Sequence, residues 1–233
     1  MKLRLREAYL FEESFEVVKS DGDYSSYQLA VGIGLVGVVI QLVLYFIGVG
    51  LYMNLIDDLL SMQEWSILNY VLSGGRFISS LMVALGFVGI FGMKGSKLGI
   101  FFPLDSIFTY YGFWQLQIVL YQLGISSTEL QIGYTRVIGA LFAVICGLIL
   151  LTIRNKSVKP LFMVFFAIFY MIQGTLSGLL FYLIFGYSVP IETGLEYLIT
   201  QTLGIVFFVL TACFTIVLFW VEKRAGCTSV ESC

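Results

Sequence analysis

Histidine is missing altogether from these 233 residues, and charged side chains make up only 12% of them. The first absence excludes histidine-ligated haem, Ser-His-Asp and Cys-His catalysis and histidine-based zinc sites. The second excludes an ordinary water-facing globule, in which about a quarter of residues are charged. Charge of one sign is scarce too. Thirteen Lys+Arg stand against 15 Asp+Glu, a net charge of -2, which gives nucleic acid no basic surface to bind. The four cysteines, Cys146, Cys213, Cys227 and Cys233, show no metal spacing. Cys146 and Cys213 lie in apolar runs and read as buried free thiols, while Cys227 and Cys233 offer only a weak lipidation signal. What is present is apolar: 59% of residues, with mean hydropathy +0.94. Polar surface is too sparse to cover such a chain in water, so it belongs in a membrane.

A crossing helix needs about 20 apolar residues. Six segments qualify, at 27–52, 77–93, 104–124, 137–153, 161–186 and 197–221, the second and fourth reaching back to Arg76 and Arg136. With the N-terminus inside, 11 of the 13 basic residues fall on the cytoplasmic side and only Arg76 and Arg136 outside. That distribution predicts an all-α, polytopic integral membrane protein of six transmembrane helices with both termini cytoplasmic, multi-pass in the cell membrane and in contact with lipid. Its parts are a cytoplasmic segment 1–26, a transmembrane domain 27–221 and a cytoplasmic tail 222–233. No cleavable signal precedes the first span. Ala8, Phe11, Phe15 and Val18 fall at helical spacing, as in an amphipathic surface helix or a solvated arm. Ser20-Asp21-Gly22-Asp23 reads as a turn, and 53–75 as an outer loop containing an interfacial helix.

Gly32-Ile33-Gly34-Leu35-Val36-Gly37 spells the dinucleotide fingerprint, but no strand precedes it. The better reading is helix packing, with Ala30, Gly34 and Gly37 as a smooth face. Polar atoms enter the membrane at Gln41, Tyr45 and Tyr52, and at Tyr111, Gln115 and Gln122, which follow Phe108 at helical spacing. Tyr110, Trp114, Gln117 and Tyr121 make an adjoining stripe. Tyr170, Gln173 and Ser177 follow in the fifth span, and Thr200, Gln201, Thr211 and Thr215 in the sixth. Unpaired amides are costly in hydrocarbon, so these groups face other helices or a wet pathway. No ionisable residue falls mid-span. Asp105 reads as a helix N-cap, and Arg76, Arg136 and Glu196 as outer-edge charges. An offset of 60 residues pairs Arg76 with Arg136, Lys94 with Arg154 and Tyr110 with Tyr170. This is either a repeated hairpin or the coincidence of a small alphabet.

Lys94-Gly95-Ser96-Lys97-Leu98-Gly99 followed by Phe108-Thr109-Tyr110-Tyr111-Gly112-Phe113-Trp114 resembles the acetate uptake transporter (succinate–acetate permease) family. Thr152-Ile153-Arg154, Val164-Phe165-Phe166 and the ending from Gly204 to Glu222 are similar as well, so the likeness covers roughly 29–224. The family's N-P-A-P-L-G hallmark is absent, Ser26-Tyr27-Gln28-Leu29-Ala30 standing nearest to it. The resemblance implies six spans, a cyclic homo-hexamer with one pathway per protomer, and a constriction at Tyr111, Ile168 and Ile33.

Together these readings lead to the expectation of a permease passing a small monocarboxylate such as acetate, or another small polar solute. The path would be neutral, lined by Gln, Tyr and Thr, with Tyr111, Gln115, Gln41, Gln173, Ile168 and Ile33 along it. No nucleophile–base pair supports an enzyme, and no cofactor or metal is expected. The alternative is a non-transporting scaffold, or the permease subunit of an ATPase-driven exporter.

Overall fold

The computed structural model describes residues 21–52, 62–125, 128–153, 158–175 and 194–230. Among them every regular element is helical: α1 Asp21–Tyr52, α2 Met62–Met93, a 3-10 turn Lys97–Ile100, α3 Phe101–Ile107, a π turn Phe108–Gly112, α4 Phe113–Gln122, α5 Thr128–Leu150, α6 Pro160–Thr175 and α7 Gly194–Val230. Three stretches, Ser25–Gly48, Tyr70–Met93 and Thr202–Arg224, are long and apolar enough to cross a membrane. At 1.5 Å per residue each runs about 35 Å, against a hydrocarbon core of about 30 Å. Arg136–Leu150 and Pro160–Gly174 are apolar but shorter.

Several boundaries differ from the expected ones. Asp21 to Asp23 are helical, because α1 starts before the anticipated turn, and α2 runs unbroken from Met62 through most of the expected outer loop. α7 continues to Val230, carrying Glu222 on a helix instead of in a tail. The segment 1–20, with its amphipathic pattern, lies outside the described residues, as do Ser177 and Cys233.

Small residues set the α1–α2 contact. A methyl group on Gly34 would come within 2.6 Å of the Phe219 ring and 2.8 Å of the Gly86 Cα, and one on Gly37 within 2.6 Å of Met82 Cβ. Gly89 faces Ala30 in the same way, at 2.8 Å. Ala30, Gly34 and Gly37 are therefore the packing face expected of them, while a methyl on Gly32 would meet nothing. Gly34→Leu should cost at least the 1–3 kcal/mol or so typical of overpacking, and Gly32→Ala should cost nothing measurable. Thermal unfolding in detergent checks the pair.

At one end of the bundle α1, α2 and α7 are tied together. Tyr27 donates its hydroxyl to Glu222 Oε2 at 2.7 Å, and Lys94 Nζ lies 3.3 Å from Oε1. Glu222→Ala removes the carboxylate that Tyr27 and Lys94 share and should destabilise by about 1–3 kcal/mol, read from the same unfolding curves.

The glycine-rich motif after α2 is a turn. Gly95 adopts φ +68°, its N–H donates to Gly92 O at 2.9 Å, and the Ser96 N–H donates to Phe91 O at 2.9 Å, a Schellman ending. The Ser96 hydroxyl accepts from the Leu98 N–H, and Gly99 lets the returning chain press on Val88 and Phe91, 3.0 Å from where a Cβ would stand. The chain therefore re-enters the bundle at Lys97, seven residues earlier than the expected start at 104.

The exterior is apolar. Val36, Val39, Val43, Phe46 and Ile47 of α1 are exposed at helical spacing, and polar side chains gather inside. Cys146 is buried as expected, whereas Cys213 is exposed, because it falls on the outward face of α7.

Candidate functional site: a polar cavity inside the helix bundle

The helices line a partly open cavity of about 600 Å³. α1 contributes Gln41 and Tyr45, α2 contributes Arg76 and Ser80, and the α3–π-turn segment contributes Asp105, Ser106, Thr109 and Tyr110. Arg136 comes from α5, Tyr170 and Gln173 from α6, and Thr211 and Thr215 from α7.

Arg76 belongs to the end of the cavity away from Lys94. Its Nη2 donates to Leu44 O at 3.4 Å, its guanidinium carbon stands 6.0 Å from the Tyr45 ring centre, and its buried Nε has no hydrogen-bond partner among the described residues. Gly48 makes the room, since a methyl group there would run into Nη2. Tyr45 is itself held against Phe208, ring centres 4.0 Å apart and nearly parallel. Arg136 lines the same space. A buried donor without a partner is rare in a folded protein, and a bound anion is a natural acceptor for it.

Deeper in, Asp105 Oδ2 accepts the Tyr170 hydroxyl at 2.9 Å. The Ser106 and Ser80 hydroxyls meet at 2.8 Å, which sets Asp105 level with the middle of the Tyr70–Met93 stretch. Asp105 is not an N-cap: α3 begins at Phe101, and its N-cap, Ile100, makes no side-chain capping bond. The early re-entry at Lys97 carries this carboxyl group inward. The interior is accordingly not the neutral one expected, since two guanidinium groups and a carboxyl group share it.

Below Asp105 the cavity ends on aromatic rings. Phe87 stacks on Phe102 at 4.2 Å and tilts against Phe219 at 5.1 Å, and Phe91 and Phe166 complete the cluster. All five are at most 2% exposed. This floor separates the cavity from the Lys94–Glu222 end.

Of the residues expected along a path, Gln41 and Gln173 line the cavity. Tyr111, Gln115, Ile168 and Ile33 do not. Tyr111 is 59% exposed, with its ring edge-on to Phe77 at 5.1 Å, and Ile168 is 40% exposed. For Tyr111 and Gln115 the π turn is the reason. It widens the helix over Phe108–Gly112, shifts the facing register by about one residue, and presents Phe108, Thr109 and Tyr110 inward. Gly112 permits it, because a Cβ there would lie 2.6 Å from the Phe108 ring. Phe87 and Phe102, not Tyr111, Ile168 or Ile33, line the cavity at this end.

The 60-residue offset acquires a spatial counterpart. Arg76 and Arg136, and likewise Tyr110 and Tyr170, line one cavity from α2, the π turn, α5 and α6. That coincidence is the sequence signal that links the two edge arginines to one cavity. Lys94, by contrast, is used in the ion pair with Glu222, and Arg154 lies outside the described residues. The side chains of Trp114, Gln117 and Gln201 also lie outside the description. Thr211 and Thr215 donate to the carbonyls of Phe207 and Thr211, both at 2.8 Å, as helix-internal bonds.

No family model, curated protein or solved structure matches the chain.

Proposed function

We propose that the protein is a permease for a small carboxylate, bound in the central cavity with its anionic group at Arg76 and Arg136. The carrying observation is the buried Arg76 Nε, a cationic donor without an acceptor among the described residues, on the wall of a cavity of about 600 Å³. Cavities of this size hold small organic molecules and their water. An ionisable residue within a bundle that exposes apolar helix faces is expensive and marks solute pathways.

On this reading the bundle crosses the membrane six times with both termini cytoplasmic, as the lysine and arginine bias favours. Arg76 and Arg136 then stand toward the outside, and the phenylalanine floor closes the path on the cytoplasmic side. Solute enters the polar chamber and waits for the floor to part. Gln41, Tyr110 and Gln173 supply hydrogen bonds along the way. The acetate-uptake resemblance supports a monocarboxylate as the solute and a hexameric assembly.

Reconstituted into vesicles, the protein should raise uptake of labelled acetate or butanoate above protein-free vesicles. Tyr110→Phe or Gln41→Ala should lower that uptake several-fold, by loss of a hydrogen bond of about 1 kcal/mol. Tyr111→Ala and Gln115→Ala should leave it unchanged. Uptake no greater than in empty vesicles across the short-chain acids defeats the proposal.

A further inference from the structure

Opposite charges occupy different depths of the cavity. Arg76 and Ser80 are one helical turn apart, about 6 Å along α2. Ser80 meets Ser106, the neighbour of Asp105. On α5, Arg136 precedes Ala143 by about two turns, and Ala143 lines the same chamber. Among the described residues no ion pair joins Asp105 to Arg76. The hydroxyl of Tyr170 fixes the carboxyl group of Asp105, and Tyr45 and the Leu44 carbonyl hold the Arg76 guanidinium at the far end.

We infer that the cavity is built for a zwitterion, its carboxylate held by Arg76 and Arg136 and its ammonium by Asp105. The inference rests on the reading of the cavity as a solute site and names the class of solute. A simple anion seated between the arginines leaves the Asp105 charge uncompensated and faces its repulsion farther in. A simple cation leaves the Arg76 donor unsatisfied. A molecule with a carboxylate at one end and an ammonium a few carbons away neutralises both poles at once, and its methylene chain lies along Val83, Ala84 and Ala140. The separation of about one turn between the Arg76 level and the Ser80–Ser106 level of Asp105 favours an ω-amino acid over an α-amino acid, whose two charges are too close together to reach both.

Three probes of equal length separate the possibilities: butanoate, 4-aminobutanoate and butylamine. Their binding to the purified full chain is followed by calorimetry, which requires no transport. The zwitterion should bind about tenfold or more tightly than butanoate, the gain of one charge-assisted hydrogen bond, with butylamine weakest. Asp105→Asn should remove that advantage and leave butanoate binding equal or stronger, and unfolding of this variant checks that it remains folded. Equal binding of butanoate and 4-aminobutanoate to the wild type overturns the inference, as does an equal loss of both in a folded Asp105→Asn protein. Butanoate binding and uptake with no preference for the zwitterion defeats this inference alone. Tight zwitterion binding with no uptake of any probe sustains it and defeats the permease.

Discussion

Acetate uptake should fall about 10- to 100-fold when Arg76 is replaced by glutamine, the loss expected for removing one charged hydrogen bond of about 1.5–3 kcal/mol. Glutamine retains a donor but is shorter and lacks the charge and the buried Nε. The fall should appear mainly as weaker apparent affinity, because the guanidinium acts on the bound carboxylate. Gly48→Val offers an independent route to the same end. It leaves every charge in place but fills the space occupied by Nη2, so the guanidinium must move. Uptake in Gly48→Val should fall with that in Arg76→Gln, while Gly32→Ala, in open space, should transport normally. Initial rates against acetate concentration in vesicles distinguish these outcomes. If Arg76→Gln transports with unchanged affinity, the guanidinium has no part in recognition.

The second large effect is expected at the aromatic floor. Phe102 is 2% exposed and stacked on Phe87, so Phe102→Ala should destabilise the fold by about 3–5 kcal/mol. It should also open a void between the chamber and the Lys94–Glu222 end. Acetate preloaded into vesicles should then leak measurably faster than through the wild type. Phe165→Ala provides the control, since that ring is 46% exposed and outside the cluster. Its stability should change little and its leak not at all. Slow leak through a folded Phe102→Ala protein would place the barrier elsewhere.

These effects depend on details of which the sequence carried only some. The apolar composition and the 3.6-residue periodicity announce a helical bundle. The alternation of small residues at Ala30, Gly34 and Gly37 announces the face on which α1 and α2 meet. Gln41 and Gln173 were legible as inward because amides avoid hydrocarbon. The position of Asp105 was not. Hydropathy begins a span where residues become uniformly apolar, yet the Gly95 turn and the close approach at Gly99 bring the chain back into the bundle at Lys97. That shift turns an apparent cap into an interior carboxyl group. The exchange of Tyr111 for Tyr110 has an equally local origin, since one π turn breaks the constant angular step that helical spacing assumes. That the two edge arginines line the cavity was not legible, because long side chains at helix ends ordinarily reach outward to water. Here Gly48 opens a space beside the α1 backbone, and Arg76 of α2 lies in it.

The central claim is that solute passes through this one cavity, and the most direct test is to fill it. Gly139 lines the chamber, and a Cβ added there would meet only the Phe108 ring edge, at 3.7 Å. The backbone there therefore accepts a side chain, and a tryptophan is large enough to fill much of the chamber. Gly139→Trp protein, melting within a few degrees of the wild type, should take up labelled acetate no faster than protein-free vesicles. Uptake at the wild-type rate through a folded, filled protein would contradict the account.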